Sequence, residues 1–345
     1  MKAYVLKEIG KIEFEEVPIP EPNENEVLVR VEAAGICGSD IPRIYQNGAH
    51  VHPIIPGHEF AGVVEKTGKR VGVFPLIPCM NCPECNEKKY EMCRNYSYLG
   101  SRRDGAFAEY VSVPVNNLIE IPDNVSFETA AMLEPLSVAM HAIRGLVGDD
   151  GDRNSFVGIW GLGTIGMMLT SILKAEGYNN LYCVINKDFQ SEVLTKEIGI
   201  STDKIINVEK SDAITEIMEK TDNHGFDYGF ECVGRNETAV SLVKCAASYG
   251  KIMLVGNPYS NMKFEKDDYW RILRKQLTVK GTWNSSYTGD ADDDWHRVLS
   301  LLEKGQLKTD FLVTQKYNLK DIGNGFLTMR DKTKNYLKCM YVREN

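Results

Sequence analysis

The sequence predicts a mixed α/β protein of two domains: a β-rich, barrel-like domain and a second domain built on a six-stranded parallel sheet. Three observations carry this expectation. The first third of the chain is dense in turn residues and short alternating runs. The middle alternates apolar runs with helical patterns at a regular interval. After about Trp295 that rhythm stops and the tail returns to mixed character, as if rejoining the first domain. The expected boundaries are 1–147 with 290–345 for the β-rich domain, and 148–289 for the α/β domain.

The β-rich reading starts from Val27, Val29 and Val31, which alternate with Leu28, Arg30 and Glu32. This is the period of a half-buried strand. Pro18, Pro20, Pro22, Gly35, Gly38, Pro53, Pro56, Gly57, Gly62, Gly68 and Gly72 punctuate the region, so its strands are short. Near Ser126 the pattern changes. Ser126 is placed to cap a helix, with Glu128 near its positive end. Ala130, Ala131, Leu133, Leu136, Ala139, Met140 and Ile143 follow at helical spacing. Pro135 lies inside that segment and is expected to kink it.

From Phe156 the apolar runs 156–160, 181–185, 204–208, 226–231, 251–256 and 276–283 begin at intervals of roughly 24 residues, with helical patterns between most of them. Such alternation implies βαβ units and a parallel sheet, the layout of a Rossmann dinucleotide-binding domain. The glycine pattern agrees. Gly161-Leu162-Gly163-Thr164-Ile165-Gly166 follows the first run and opens an apolar helix, the context that gives a G-x-G-x-x-G its meaning. The first glycine allows a tight turn, the second lets backbone approach a pyrophosphate, and the third allows helix and strand to pack closely. About 20 residues on, an acid usually ends the second strand and binds the ribose 2′-hydroxyl. Here the chain reads Ile185-Asn186-Lys187-Asp188. Asn186 would not repel a 2′-phosphate and Lys187 could attract one, so the cofactor is NAD or NADP with a lean towards NADP.

Nine cysteines are present, four of them in Cys79-x-x-Cys82-x-x-Cys85-x7-Cys93. Four thiolates at this spacing can wrap one tetrahedral zinc and leave no open position, which makes a structural site. An iron–sulfur cluster is the rival, but the x3-Cys-Pro continuation of the ferredoxin pattern is absent. A second, dispersed set comprises Cys37, His58 with Glu59, and Glu134. Cysteine, histidine and carboxylate are the mixture that holds a catalytic zinc while leaving a position for water or substrate. Spacing alone does not choose between Glu59 and Glu134, and a histidine beside an acid is often only a structural pair.

Taken together, GICGSD, PGHEFAG, the four-cysteine lobe, DGAFAEY, the EP element, GLGTIG and ECVG resemble, in order and spacing, the zinc-containing medium-chain alcohol dehydrogenases. The resemblance implies a GroES-like catalytic domain with a structural zinc lobe at 79–93, followed by the Rossmann domain. It implies Cys37, His58 and Glu134 as ligands of a catalytic zinc, with Glu59 as alternate ligand or immediate neighbour, and Ser39 as proton relay. Asp40 is expected to orient its loop. Val233, Val255 and Gly256 are implied to lie against the cofactor. Stretches outside the generic motifs, including IPRIYQNGAHVHPIIPGHEF and YLGSRRDGAFAEY, look like the members that oxidise sugar-alcohol phosphates, galactitol 1-phosphate among them. This makes Arg43, Tyr45, His50, Arg102 and Arg103 candidate substrate contacts, since a guanidinium fork donates two parallel hydrogen bonds to a phosphate. The cofactor domain is also similar to that of the ribitol-phosphate members linked with NADP. Free polyols, butanediol and threonine remain alternative substrates.

The resemblance further implies a homodimer or homotetramer. A net charge of −8 and a pI near 5.4 argue against nucleic acid as a partner. No run reaches the length of a membrane span, and no apolar leader is visible, so the expected partners are small molecules and the expected compartment is the cytoplasm. A non-catalytic cofactor-binding protein is the alternative from another class. It would lack the dispersed ligand set, and counting bound zinc would expose it.

Overall fold

The alternation at Val27–Val31 folds as the strand Glu26–Gly35, with Val29 and Val31 fully buried. The structure is a computed structural model, and it describes residues 1–344. In the first unit this strand lies inside a seven-stranded sheet. The strands run Val313–Tyr317, Lys338–Val342, Glu26–Gly35, Glu59–Val64, Arg70–Val73 and Leu118–Glu120, and Tyr110–Pro114 also pairs with Glu26–Gly35. The register sets Gly35 opposite Glu59 on one side and opposite Met340 on the other. The C-terminal strand is thereby hydrogen-bonded to the strand that leads into Cys37. The apolar face of this unit closes over Leu6, Ile36, Ile44, Phe60, Phe107 and Phe326.

The first unit consists of Met1–Ser137 together with the chain from Ser285 onward, and the second is Val138–Asn284. The division thus falls inside the helix Leu133–Leu146, ahead of the 147/148 boundary expected from the sequence. A continuous helix carries no punctuation to mark such a border. The helical segment is interrupted at Met132, giving two helices, Phe127–Ala131 and Leu133–Leu146, the break falling where the Pro135 ring would meet the carbonyl four residues earlier. Pro135 occupies the first turn of the second, where its missing N–H has no intrahelical partner to lose. Ser126 does cap the first, accepting from the Thr129 N–H at 3.1 Å.

In the second unit six strands form one parallel sheet, in the order Ile205–Asn207, Leu181–Ile185, Val157–Trp160, Phe226–Glu231, Ala246–Leu254 and Thr278–Gly281. The helix Thr164–Ala175 is buried over most of its surface, including Met167, Met168, Leu169, Ile172 and Leu173. Each such side chain contributes about 1.5–3 kcal/mol on leaving water. Its two buried hydroxyls are satisfied within the helix, Thr170 to the Gly166 carbonyl and Ser171 to the Met167 carbonyl. No helix among the described residues is long and apolar enough to cross a membrane.

Candidate metal and cofactor sites

Two clusters of metal-ligating side chains form among the described residues, and both lie in the first unit. In the first cluster the sulfur atoms of Cys79, Cys82, Cys85 and Cys93 lie within 4.8 Å of one another. None of these cysteines is in a disulfide. Pro83 starts a helical turn, Pro83–Asn86, that carries Cys85 back towards Cys82. Backbone amides point inward: the Cys79 N–H reaches the Cys93 sulfur at 3.2 Å. The Asn81 amide lowers the Cys79 thiol to about 6, which favours the thiolate that binds metal. Four soft donors around one centre fit a closed tetrahedral zinc.

In the second cluster Cys37, His58 and Glu59 bring one donor atom each within the same 4.8 Å. Cys37 follows the end of the strand Glu26–Gly35, and Glu59 begins the strand that pairs with it. Sheet register therefore joins residues far apart in sequence. His58 and Glu59 are buried. Glu134, implied by the resemblance as the third ligand, is buried nearby but is not in the cluster. It sits in the first turn of its helix and accepts the Tyr98 hydroxyl at 3.3 Å. Burial raises Glu134 to about 7, with the Glu59 charge adding to the rise. The carboxylate that joins Cys37 and His58 within this distance is that of Glu59, the alternate ligand the resemblance implies.

Asp40 organises this centre from behind. It is fully buried, accepts the Cys37 backbone N–H at 3.0 Å and is paired with Arg43. Its Oδ1 lies 3.3 Å from Nδ1 of His58. Burial works against a charged imidazole, but the Asp40 carboxylate and the Cys37 sulfur outweigh it and hold His58 well above its ordinary pKa. The site therefore favours positive charge. Sulfur, imidazole nitrogen and carboxylate oxygen, with a carboxylate behind the histidine, fit a zinc with one open position. Ser39 donates from Oγ to the Cys37 sulfur at 3.3 Å.

The five candidate substrate contacts separate. Burial and the guanidinium charges of Arg102 and Arg43 lower the pKa of His50, so these three basic groups share one electrostatic neighbourhood. Arg102 stacks 4.7 Å over the Tyr96 ring and is exposed. Arg103 turns away to Glu26 at 2.8 Å and lines a separate cavity of about 520 Å³ walled by Val5, Val17, Pro18 and Ile55. Tyr45 lies under the Arg330 guanidinium at 4.8 Å and packs on the core. Tyr98 was not singled out by sequence. Its ring meets His58 edge-on at 5.7 Å, and its only sequence signal is membership of the stretch that also holds the arginine pair.

In the second unit the glycine turn has the expected division of labour. Gly161 has φ of +88°, and a Cβ there would strike Val233. A Cβ on Gly166 would come within 2.0 Å of the Gly161 carbonyl oxygen. A Cβ on Gly163 would meet nothing within 4 Å. This glycine precedes the helix Thr164–Ala175, and Ile165 lies in its first turn. The neighbouring strand ends in Glu231, which is buried and accepts the backbone N–H groups of Val233 and Gly234 and the Thr238 hydroxyl. Gly256 packs on Gly234, where a Cβ would come within 2.2 Å of its nitrogen, and Val255 precedes it, half-buried. Gln190 is the residue the sequence did not reveal. Its Oε1 accepts from the amides of Asn186 and Lys187, and its Nε2 donates to the Leu162 carbonyl at 2.9 Å. It staples the end of the second strand to the glycine turn.

Residues 23–123 match the alcohol dehydrogenase GroES-like domain and residues 164–304 the zinc-binding dehydrogenase domain. A galactitol 1-phosphate 5-dehydrogenase of Escherichia coli K12 is 31% identical over 326 residues, 92% of each chain. The chain belongs to the zinc-binding medium-chain alcohol dehydrogenase family. Another member, a sorbitol dehydrogenase of Bacillus subtilis strain 168, is also 31% identical, over 92% of this chain and 90% of its own. Among solved members, galactitol-1-phosphate dehydrogenase from Escherichia coli superposes with a TM-score of 0.90 at 29% identity, covering 99% of this chain and 100% of that one. A zinc-binding dehydrogenase from Sinorhizobium meliloti 1021 bound to NADP gives 0.89 at 26% identity, covering 99% and 98%. Members of the family are oxidoreductases.

Proposed function

We propose that this chain is a zinc-dependent dehydrogenase that transfers hydride between a sugar-alcohol phosphate and NADP or NAD, giving a ketose phosphate. What supports the phosphate is that the His50 backbone N–H donates to the carbonyl of Ser101, next to the exposed Arg102, at 3.1 Å, while Arg43 pairs with the Asp40 that backs His58 of the trio. Arg102 is the principal contact in this reading, because its guanidinium is exposed and Arg43 is already engaged. When bound, zinc supplies Lewis-acid polarisation of the substrate hydroxyl, and the nicotinamide accepts the hydride.

Cys37, His58 and Glu59 would hold the metal, with the Asp40 carboxylate 3.3 Å from His58 Nδ1 orienting the imidazole. Ser39, whose Oγ lies 3.3 Å from the Cys37 sulfur, would accept the substrate hydroxyl proton as it releases its own to solvent. The backbone at Gly163 receives the pyrophosphate, favoured by the helix N-terminus. Asn186 and Lys187, held by Gln190, read the adenosine ribose. Asp188 is drawn off by Lys210 at 2.6 Å and Asn207 at 2.9 Å, which leaves the two exposed side chains beside it to meet a 2′-phosphate. This favours NADP; of two solved neighbours that are each 26% identical, one is bound to NADP and the other to NADH. Cys79, Cys82, Cys85 and Cys93 hold a second, structural zinc.

A homo-oligomer is part of the proposal. Thr278–Gly281 is an edge strand exposed along its whole length, and Trp270, Leu273, Val279 and Trp283 are exposed large apolar residues. An open apolar edge of this kind is suited to pairing with a second copy.

Equal identity to a sorbitol dehydrogenase makes a free polyol the second reading. Kinetics of Arg102→Ala on hexitol and hexitol phosphate separate the two. Loss of about tenfold or more in kcat/KM confined to the phosphate ester supports the first reading. An equal effect on both substrates, or none on either, refutes it.

A further inference from the structure

Lys338 is 3% exposed. A lysine ammonium gives up its hydration when buried and needs strong partners in return. Its Nζ donates to Glu59 Oε2 at 2.5 Å and to the Ile36 carbonyl at 3.1 Å. Ile36 immediately precedes Cys37. One ammonium thus bridges the two segments that form the candidate metal centre. The fold leaves room for this bridge at Gly35, where a Cβ would come within 2.3 Å of Glu59 Oε2 and 3.3 Å of Lys338 Cδ. The register that sets Gly35 between Glu59 and Met340 brings the start of the C-terminal strand to the same place. Packing alone does not call for a charge here, since buried ion pairs are commonly replaced by apolar side chains without loss of stability.

We propose that Lys338 is a positioning residue of the metal centre. Its ammonium holds Glu59 Oε2 and fixes the spacing between Glu59 and the Cys37 segment. Oε1 is then the single oxygen that Glu59 offers, which keeps a fourth position open for substrate. Lys338 touches neither the substrate nor the reacting atoms. The proposal rests on the reading of Cys37, His58 and Glu59 as ligands.

The test uses the zinc-loaded full chain and follows zinc transfer to a chromogenic chelator, with the visible spectrum after cobalt replacement as a second readout. The wild-type chain is expected to release two zincs. In Lys338→Met one of them leaves about 10–100-fold faster, the size of effect usual for partners that orient a ligand, while the other is unchanged. The cobalt spectrum of the faster site shifts, and Lys338→Arg recovers most of the retention. In a Glu59→Gln background, adding Lys338→Met changes release by less than about threefold, because its route through the carboxylate is gone. That comparison also stands if the single Lys338→Met variant fails to fold. Wild-type release rates in Lys338→Met, or an undiminished effect in the Glu59→Gln background, overturn the proposal. A wild-type chain that holds only one zinc overturns the ligand reading itself, and the positioning role with it.

Discussion

Asp40 Oδ1 stands 3.3 Å from His58 Nδ1 while the same carboxylate accepts the Cys37 N–H. A single buried acid therefore sets the angle of two donors of the trio. Replacing Asp40 by Ala should lower metal affinity and kcat/KM by about 10–100-fold while leaving the four-cysteine lobe loaded. Zinc content after dialysis, measured beside steady-state kinetics, checks this.

The glycine turn predicts a contrast. A Cβ on Gly166 meets backbone at 2.0 Å, and one on Gly163 meets nothing. Gly166→Ala should lower both thermal stability and nucleotide binding. Gly163→Ala should keep the wild-type melting temperature yet weaken nucleotide binding by about tenfold or more, because the added methyl intrudes where the pyrophosphate approaches. Thermal melts and a nicotinamide fluorescence titration distinguish the two.

Much of this was legible in the sequence, and the parts that were not share one cause. The glycine fingerprint, the cysteine lobe and the six parallel strands are written locally, in spacing and period. The roles of Lys338, Gln190 and Tyr98 depend on partners brought near by sheet register or by turns meeting across a sheet edge, and no local pattern encodes these. The same reason hides the contacts that Tyr45 and Arg103 make. Their partners, Arg330 and Glu26, lie far away along the chain. The grouping of Glu59 with Cys37 and His58 has a related reason. Glu59 occupies the strand position opposite Gly35, whereas Glu134 is held by Tyr98 at the start of a helix.

Cofactor choice turns on the loop that Gln190 holds. Lys187→Ala should lower the ratio of kcat/KM for NADP over NAD by about tenfold, the value of one charge-assisted contact to a phosphate. Asp188→Asn should change that ratio little, because its carboxylate is already engaged by Lys210 and Asn207. Paired assays with both nucleotides at fixed ionic strength check the prediction.

The cysteine lobe should act through stability. Cys93→Ser is expected to bind one zinc fewer per chain and to melt lower by about 5 °C or more. Metal analysis and thermal unfolding in the same buffer test this.

The most direct measurement for the central claim is nicotinamide reduction with a panel of phosphorylated and free polyols, assayed before and after removal of the more labile zinc. The account predicts turnover that is highest for a hexitol or pentitol phosphate, is lost with that zinc and returns when zinc is restored. Turnover that survives loss of that zinc, or higher kcat/KM for unphosphorylated diols or amino alcohols, would contradict it.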